Sequence, residues 1–222
     1  MTGRKAYRTI EEGGLSEVVE KKSRFLGESR HVETEEDALA FVEEVRKKYY
    51  DARHHCFAWI IGRDQSLIRS SDDGEPQGTA GRPILAVLQG EELTNAAIVV
   101  TRYFGGTLLG TGGLVRCYGA AAREALEGST LVEKRPGVLA RLKTNYSDSG
   151  RAAYLLSENG IPVLETEYEA DVTYRIILPD ESADAFLKKI AESTGGRAAC
   201  EEEGTVFYSP DGNQFRYERI SR

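Results

Sequence analysis

The stretch Asp171-Val-Thr-Tyr-Arg-Ile-Ile-Leu-Pro-Asp-Glu-Ser-Ala-Asp-Ala-Phe-Leu-Lys-Lys-Ile190 changes its hydrophobic period halfway along. Val172, Tyr174, Ile176 and Leu178 alternate as the inward face of a strand does, and Phe186, Leu187 and Ile190 then recur along one helix face. A strand over 171–178 and a helix over 180–194 follow. Working back from them, 161–168 reads as a strand, 147–159 as a helix and 138–144 as a strand; working forward, 197–208 reads as a strand. The order βαββαβ is that of a ferredoxin-like split βαβ sandwich.

Further upstream, Arg135-Pro-Gly137 carries the composition of a linker. The expected division is therefore a first domain over 1–134, a ferredoxin-like domain over 135–210 and a tail over 211–222, with Pro210-Asp-Gly-Asn213 turning into that tail. Within the first domain, 5–10, 16–20 and 24–32 read as strands. A helix over 34–49 starts at Thr34 as N-cap, with acidic residues in its first turn. Residues 56–61 and 66–70 read as a hairpin, 83–89 as a short helix, and 94–101 as a β-branched central strand with few polar positions. An alanine-rich helix over 114–126 stops at Gly128. The fold class is α+β.

The formal net charge of −7 argues against coating nucleic acid by bulk electrostatics, so any anion site has to be local. One segment fits: Leu93 to Arg123 holds no Asp or Glu but contains Arg102, Arg116 and Arg123. Cys56, Cys117 and Cys200 are isolated from one another, which fits reduced thiols in the cytosol and gives no zinc spacing. The first residues lead into no apolar leader segment, and the longest apolar run, Ala96-Ala-Ile-Val-Val100, falls far short of the roughly 20 residues a membrane helix needs. A cytoplasmic protein without membrane contact, cofactor or metal is expected.

The loop Gly105 to Gly113 invites a nucleotide-binding reading that its spacing refuses. A dinucleotide fingerprint from Gly110 would need glycine where Val115 stands, and a phosphate loop from Gly105 would need lysine where Thr111 stands. What survives is an anion site in which Thr111 acts as N-cap and Gly112 and Gly113 leave backbone N–H groups uncovered. Arg82, Arg102 and Arg116 are within reach, and Gly105 and Gly106 shape the loop. The alternative is architectural: glycines in tight turns at positive φ. In the acidic loop Asp72, Asp73 and Glu75 are candidate magnesium ligands, although calcium-loop spacing is absent, and His54 or His55 is a candidate acid/base partner. The run Arg46-Lys-Lys-Tyr-Tyr-Asp-Ala-Arg-His-His55 reads either as a base-stacking surface or as a solvated helix end whose cations suit the C-terminal dipole.

Three segments, Ala52-Arg-His-His-Cys-Phe-Ala-Trp59, Ser71-Asp-Asp-Gly-Glu-Pro-Gln-Gly-Thr-Ala-Gly-Arg-Pro83 and Val99-Val-Thr-Arg-Tyr-Phe-Gly-Gly-Thr-Leu-Leu-Gly-Thr-Gly-Gly-Leu-Val-Arg116, closely resemble the YigZ/IMPACT family. The resemblance implies a first domain like domain IV of elongation factor G, with a left-handed β-α-β crossover, and a second domain like domain V of that factor. It also implies a link to translational control. The leading expectation is a non-enzymatic binding protein contacting RNA or ribosome phosphates through Arg82, Arg102, Gly105, Gly106, Thr111, Gly112, Gly113 and Arg116. A metal-assisted hydrolase or phosphotransferase using Asp72, Asp73 and Glu75 with His54 or His55 is one alternative, and a protein-interaction module is the other.

Overall fold

A computed structural model describes residues 4–209 and 216–219. The first half runs β1 (Tyr7–Glu12), β2 (Leu15–Glu20), β3 (Ser23–His31), α1 (Glu35–Lys48), β4 (His54–Ile61), β5 (Leu67–Ser71), α2 (Gly81–Gly90), β6 (Ala96–Tyr103) and α3 (Gly110–Glu127). The second half runs β7 (Thr130–Thr144), α4 (Tyr146–Glu158), β8 (Val163–Tyr168), β9 (Val172–Pro179), α5 (Ala183–Thr194), β10 (Ala199–Ser209) and β11 (Arg216–Arg219). The chain divides into two units: Tyr7–Val132, and residues up to Ala6 joined with those from Glu133 onward. Arg4 holds the N-terminal piece to the second unit, donating to both carboxylate oxygens of Asp180 at 2.9 and 2.7 Å.

In the first unit five strands pair in the order β2-β3-β6-β4-β5, each antiparallel to its neighbour. The two inner strands explain why 94–101 reads as an unbroken apolar run. Ala96, Ile98 and Val100 of β6, with Cys56, Ala58 and Ile60 of β4, pack under α2 and α3. The intervening Ala97 and Val99, with Phe57, Trp59 and Ile61, pack under α1. Both faces of the sheet are covered, so alternation vanishes and hydrophobicity is continuous. Thr34 caps α1 as its sequence suggests, accepting from the Asp37 N–H at 3.1 Å while the Asp37 carboxylate accepts from the Thr34 N–H at 3.1 Å.

The second unit has the ferredoxin-like order: β10, β7, β9 and β8 lie side by side, all antiparallel. Val172, Tyr174, Ile176 and Leu178 face the helices together with Phe186 and Ile190, as the change of period indicates.

Three details differ from the sequence reading. Arg135-Pro136-Gly137 is no linker but the middle of the continuous strand β7, set opposite Tyr208, Phe207 and Val206 of β10. Pro and Gly are both rare inside strands, which is why the segment reads as a break. Gly137 has a packing reason instead: a Cβ there would lie 2.9 Å from Ile177 Cγ2 and 2.9 Å from the Leu178 carbonyl oxygen. Helix α3 begins at Gly110, a turn earlier than its apolar periodicity shows, because its first turn, Gly110-Thr-Gly-Gly113, holds no apolar side chain to mark it. Finally, Arg216–Arg219, inside the expected tail, pairs with β10; the expected turn at 210–213 lies outside the described residues.

Candidate functional site

At one end of the five-stranded sheet, strand register gathers the segments that carry the motifs. His54 of β4 stands opposite Arg102 of β6, and Arg102 stands opposite Phe25 of β3. The turn between β2 and β3, the loop after β6 and the loop 72–79 therefore share this end. The acidic and cationic loops meet here, through a buried ion pair.

Arg102 donates from Nη1 to Glu75 Oε1 at 2.6 Å, with side chains only 7% and 4% exposed. The Tyr118 hydroxyl donates to the same oxygen at 2.8 Å. Burial first, and the neighbouring Cys56 and Glu75 after it, push the Tyr118 phenol far above its ordinary range, so it remains a donor. The guanidinium also lies 5.4 Å from the Phe25 ring centroid and 5.6 Å from that of Phe104. Arg102 is thus a brace between two loops, and the expectation that it contacts phosphate is corrected: its charge is spent inside the fold. Neither Tyr118 nor this inward use of Glu75 is visible in sequence, which shows charge but not depth.

The remaining carboxylates are committed elsewhere. Asp72 accepts backbone N–H bonds from Gly78 at 2.7 Å, Ala80 at 3.0 Å and Gly81 at 2.8 Å. It closes its own loop and serves the first amides of α2, whose N-cap Ala80 has no capping side chain. Burial alone would raise its pKa, but these three bonds and the nearby Arg82 hold it below the ordinary Asp value. Asp73, at a φ of 39°, accepts from the His55 N–H at 2.7 Å and from Arg46 at 3.0 Å. No group of three or more metal-ligating side chains converges among the described residues. Asp72, Asp73 and Glu75 point to three different partners, which removes the basis for the magnesium reading.

Both histidines bond to carbonyls. His54 donates from Nδ1 to the Asp73 carbonyl at 2.8 Å, and His55 from Nε2 to the Tyr49 carbonyl at 3.1 Å. The His55 Nδ1 lies 3.9 Å from Asp73 Oδ2, beyond hydrogen-bond reach, and burial lowers its pKa. The expected acid/base pair is not formed as a hydrogen bond here. In the basic run, Arg46, Lys47 and Lys48 occupy the last turn of α1, the placement the helix dipole favours.

Replacing Asp72 by alanine leaves three backbone donors without their charged acceptor and is expected to cost about 2–3 kcal/mol in urea unfolding. The pH dependence has a definite sign. A carboxyl whose folded pKa is depressed contributes fully above its unfolded value, about 3.9, and its contribution fades as pH falls through the lower folded value. Below that range the difference between wild type and Asp72→Ala should shrink.

What remains open to solvent is the loop after β6 and the start of α3. Phe104 is 55% and Leu108 is 83% exposed, and Gly106, Gly110, Thr111 and Gly112 are also exposed. The N-cap is Leu109, not Thr111, and no side chain caps the helix; its first turn has no acidic residue. With that cap, the Gly112 amide is among the unbonded donors, whereas the Gly113 amide belongs to the first helical bond. Gly105 seats this loop on the β2–β3 turn: its N–H donates to Ser23 Oγ at 3.1 Å, and a Cβ would fall 2.1 Å from the Lys22 carbonyl carbon. Exposed Lys21 and Lys22, at φ of 46° and 67°, form that turn. In sequence these lysines fall between two expected strands; their signal is a paired cation at a two-residue turn. Arg116 is 70% exposed and 3.8 Å from Glu20, and Arg82 is exposed near Asp72. Of the three expected arginines, two face solvent and one does not.

Residues 21–126 match the Impact N-terminal domain family, and residues 142–197 match a domain family of unknown function, DUF1949. The chain is 42% identical to the IMPACT family member YigZ of Escherichia coli over 178 residues, 79% of this chain and 87% of that one. It is 35% identical to the IMPACT family member YvyE of Bacillus subtilis over 203 residues, 91% and 93% of the two chains. A solved structure described as that of a hypothetical protein is 37% identical, with a TM-score of 0.59 over 89% of this chain and 97% of its own. No helix among the described residues is long and apolar enough to cross a membrane. With matches to both domain families and near-full-length similarity to two bacterial members, the chain belongs to the IMPACT family.

Proposed function

We propose that this chain is a cytoplasmic, non-enzymatic protein acting in translation, whose first domain (residues 1–134) contacts phosphates of RNA or the ribosome through the loop 104–112 and the adjoining β2–β3 turn. The observation that carries this reading is the uncapped, acid-free start of α3 beside the exposed Lys21-Lys22 turn. Free amides and a positive helix end favour an anion, and two lysines without an ion pair among the described residues supply neutralising charge in a chain that is acidic overall. Gly106 and Gly110, at φ of 85° and 72°, keep side chains off the approach. Exposed Phe104 offers a face on which a base can stack. Arg116 and Arg82 stand as flanking contacts, and Arg102 acts indirectly by holding the loops in place. Glu20 is the one carboxylate against Arg116, so its contribution is smaller than that of the lysines.

Binding is tested by fluorescence anisotropy with a labelled single-stranded RNA of about ten nucleotides. The logarithm of affinity should fall linearly on a logarithmic salt scale, and Lys21→Gln with Lys22→Gln should reduce the magnitude of that slope by about 1.4 while leaving the urea midpoint unchanged. RNA binding that is absent, or indifferent to salt, would remove the proposal.

A further inference from the structure

Helices α2 and α3 pack side by side on the sheet, and a groove of about 580 Å³ runs between their outer surfaces. Its floor is small and apolar, with Val87 from α2 and Gly119, Ala120 and Leu126 from α3. The nearest atom to a Cβ placed on Gly119 would be Pro83 Cβ at 3.9 Å, so the floor is open to a second backbone.

Charge on the walls is segregated along the groove. Arg116, Arg123 and Glu127 stand at i, i+7 and i+11 of α3, along one helix edge, and Glu91 joins Glu127 at the acidic end. Arg123 is exposed and makes no ion pair among the described residues. Arg116 has Glu20 at 3.8 Å, and Glu91 reaches Arg8 only at 3.5 Å. In a chain of net charge −7, Arg123 without an ion pair among the described residues and Arg116 held only at 3.8 Å by Glu20, both at one end of an apolar groove, call for carboxylates from outside.

We infer that this groove docks an amphipathic helical peptide that sets two carboxylates against Arg116 and Arg123 and a cation against Glu127 and Glu91. The charged edge extends over about 16 Å at 1.5 Å per residue, so a straight partner helix meets it with its own charges at i, i+7 and i+11. Nucleic acid fits less well, because Glu91 and Glu127 would repel a phosphate chain continuing along the same groove. This surface meets the RNA contact at Arg116 alone: neither Lys21, Lys22 nor the loop 104–112 lines it.

The probe is a fluorescein-labelled helical peptide of about 18 residues carrying Glu at i and i+7, Leu and Ala between them and Lys at i+11, made in both chain directions. One of the two should bind the full chain with a micromolar dissociation constant. Arg123→Glu, at an exposed site with no ion pair among the described residues to lose, should weaken it about tenfold, and a peptide with Lys replacing only the Glu set against Arg123 should recover that loss. Failure of both directions to bind below millimolar concentration, or equal binding by wild type and Arg123→Glu, would overturn the inference. Displacement of the peptide by the RNA oligonucleotide, with Arg123→Glu losing RNA affinity to the same degree, would overturn it in favour of a nucleic-acid groove. Because Lys21→Gln with Lys22→Gln leaves this groove intact, the two surfaces succeed or fail separately.

Discussion

Arg102→Ala is expected to lower the unfolding free energy by about 3–5 kcal/mol, because it strands the Glu75 carboxylate in a site where its side chain is 4% exposed. Tyr118 still donates to that oxygen, but one neutral hydrogen bond does not offset a lost cation. The urea midpoint reports this directly. Removing both charges, in Arg102→Met with Glu75→Leu, should recover much of the loss, since no unpaired ion is then buried. A double variant no more stable than Arg102→Ala would mean that the guanidinium matters through its packing on Phe25 and Phe104 and not through its charge. RNA affinity should follow stability here: the double variant, if folded, retains binding, because Arg102 does not itself face the ligand.

Gly105→Ala should be nearly as damaging, for a steric reason. The added carbon would lie 2.1 Å from the Lys22 carbonyl carbon and 2.2 Å from the Ser23 nitrogen, both backbone atoms that cannot swing aside. The loop after β6 must lift from the β2–β3 turn, which separates the lysines from the start of α3. Overpacking of this kind costs roughly 1–3 kcal/mol, and backbone against backbone belongs at or above the upper limit. Gly106 is the control: it has nothing within 4 Å but a φ of 85°, so alanine there meets only conformational strain of about 1–2 kcal/mol. Chemical denaturation should rank Gly105→Ala as the more destabilised, and RNA anisotropy should show the larger loss for it as well.

Sequence reveals most of this architecture wherever one periodicity dominates. Strand β9 and helix α5 are legible because Val172 to Leu178 alternate and Phe186 and Ile190 repeat with a helical period. Helix α1 is legible because Thr34 stands as N-cap before an acidic first turn, and the structure adds the reciprocal bond with Asp37. The reading slips where glycine or proline is taken as punctuation. Gly137 is required by crowding inside β7, and Gly110, Gly112 and Gly113 belong to α3 despite their low helix propensity. Composition singles out the two loops of the candidate site, because an acid-free run beside an acidic one is unusual in a chain of this charge. It does not distinguish a cation offered to solvent from one consumed within the fold. Arg102 and Arg116 look alike in sequence, yet one is 7% exposed and the other 70%, since burial depends on strands β3, β4 and β6 meeting in one register.

If RNA phosphate is received at the start of α3 and the β2–β3 turn, titrating the ¹⁵N-labelled chain with the RNA oligonucleotide will show it in the backbone amide resonances. The amides of Lys21, Lys22 and Gly106 through Gly112 should shift together and saturate at one dissociation constant. Those resonances standing still while others move, or no resonance moving at low salt, would contradict it.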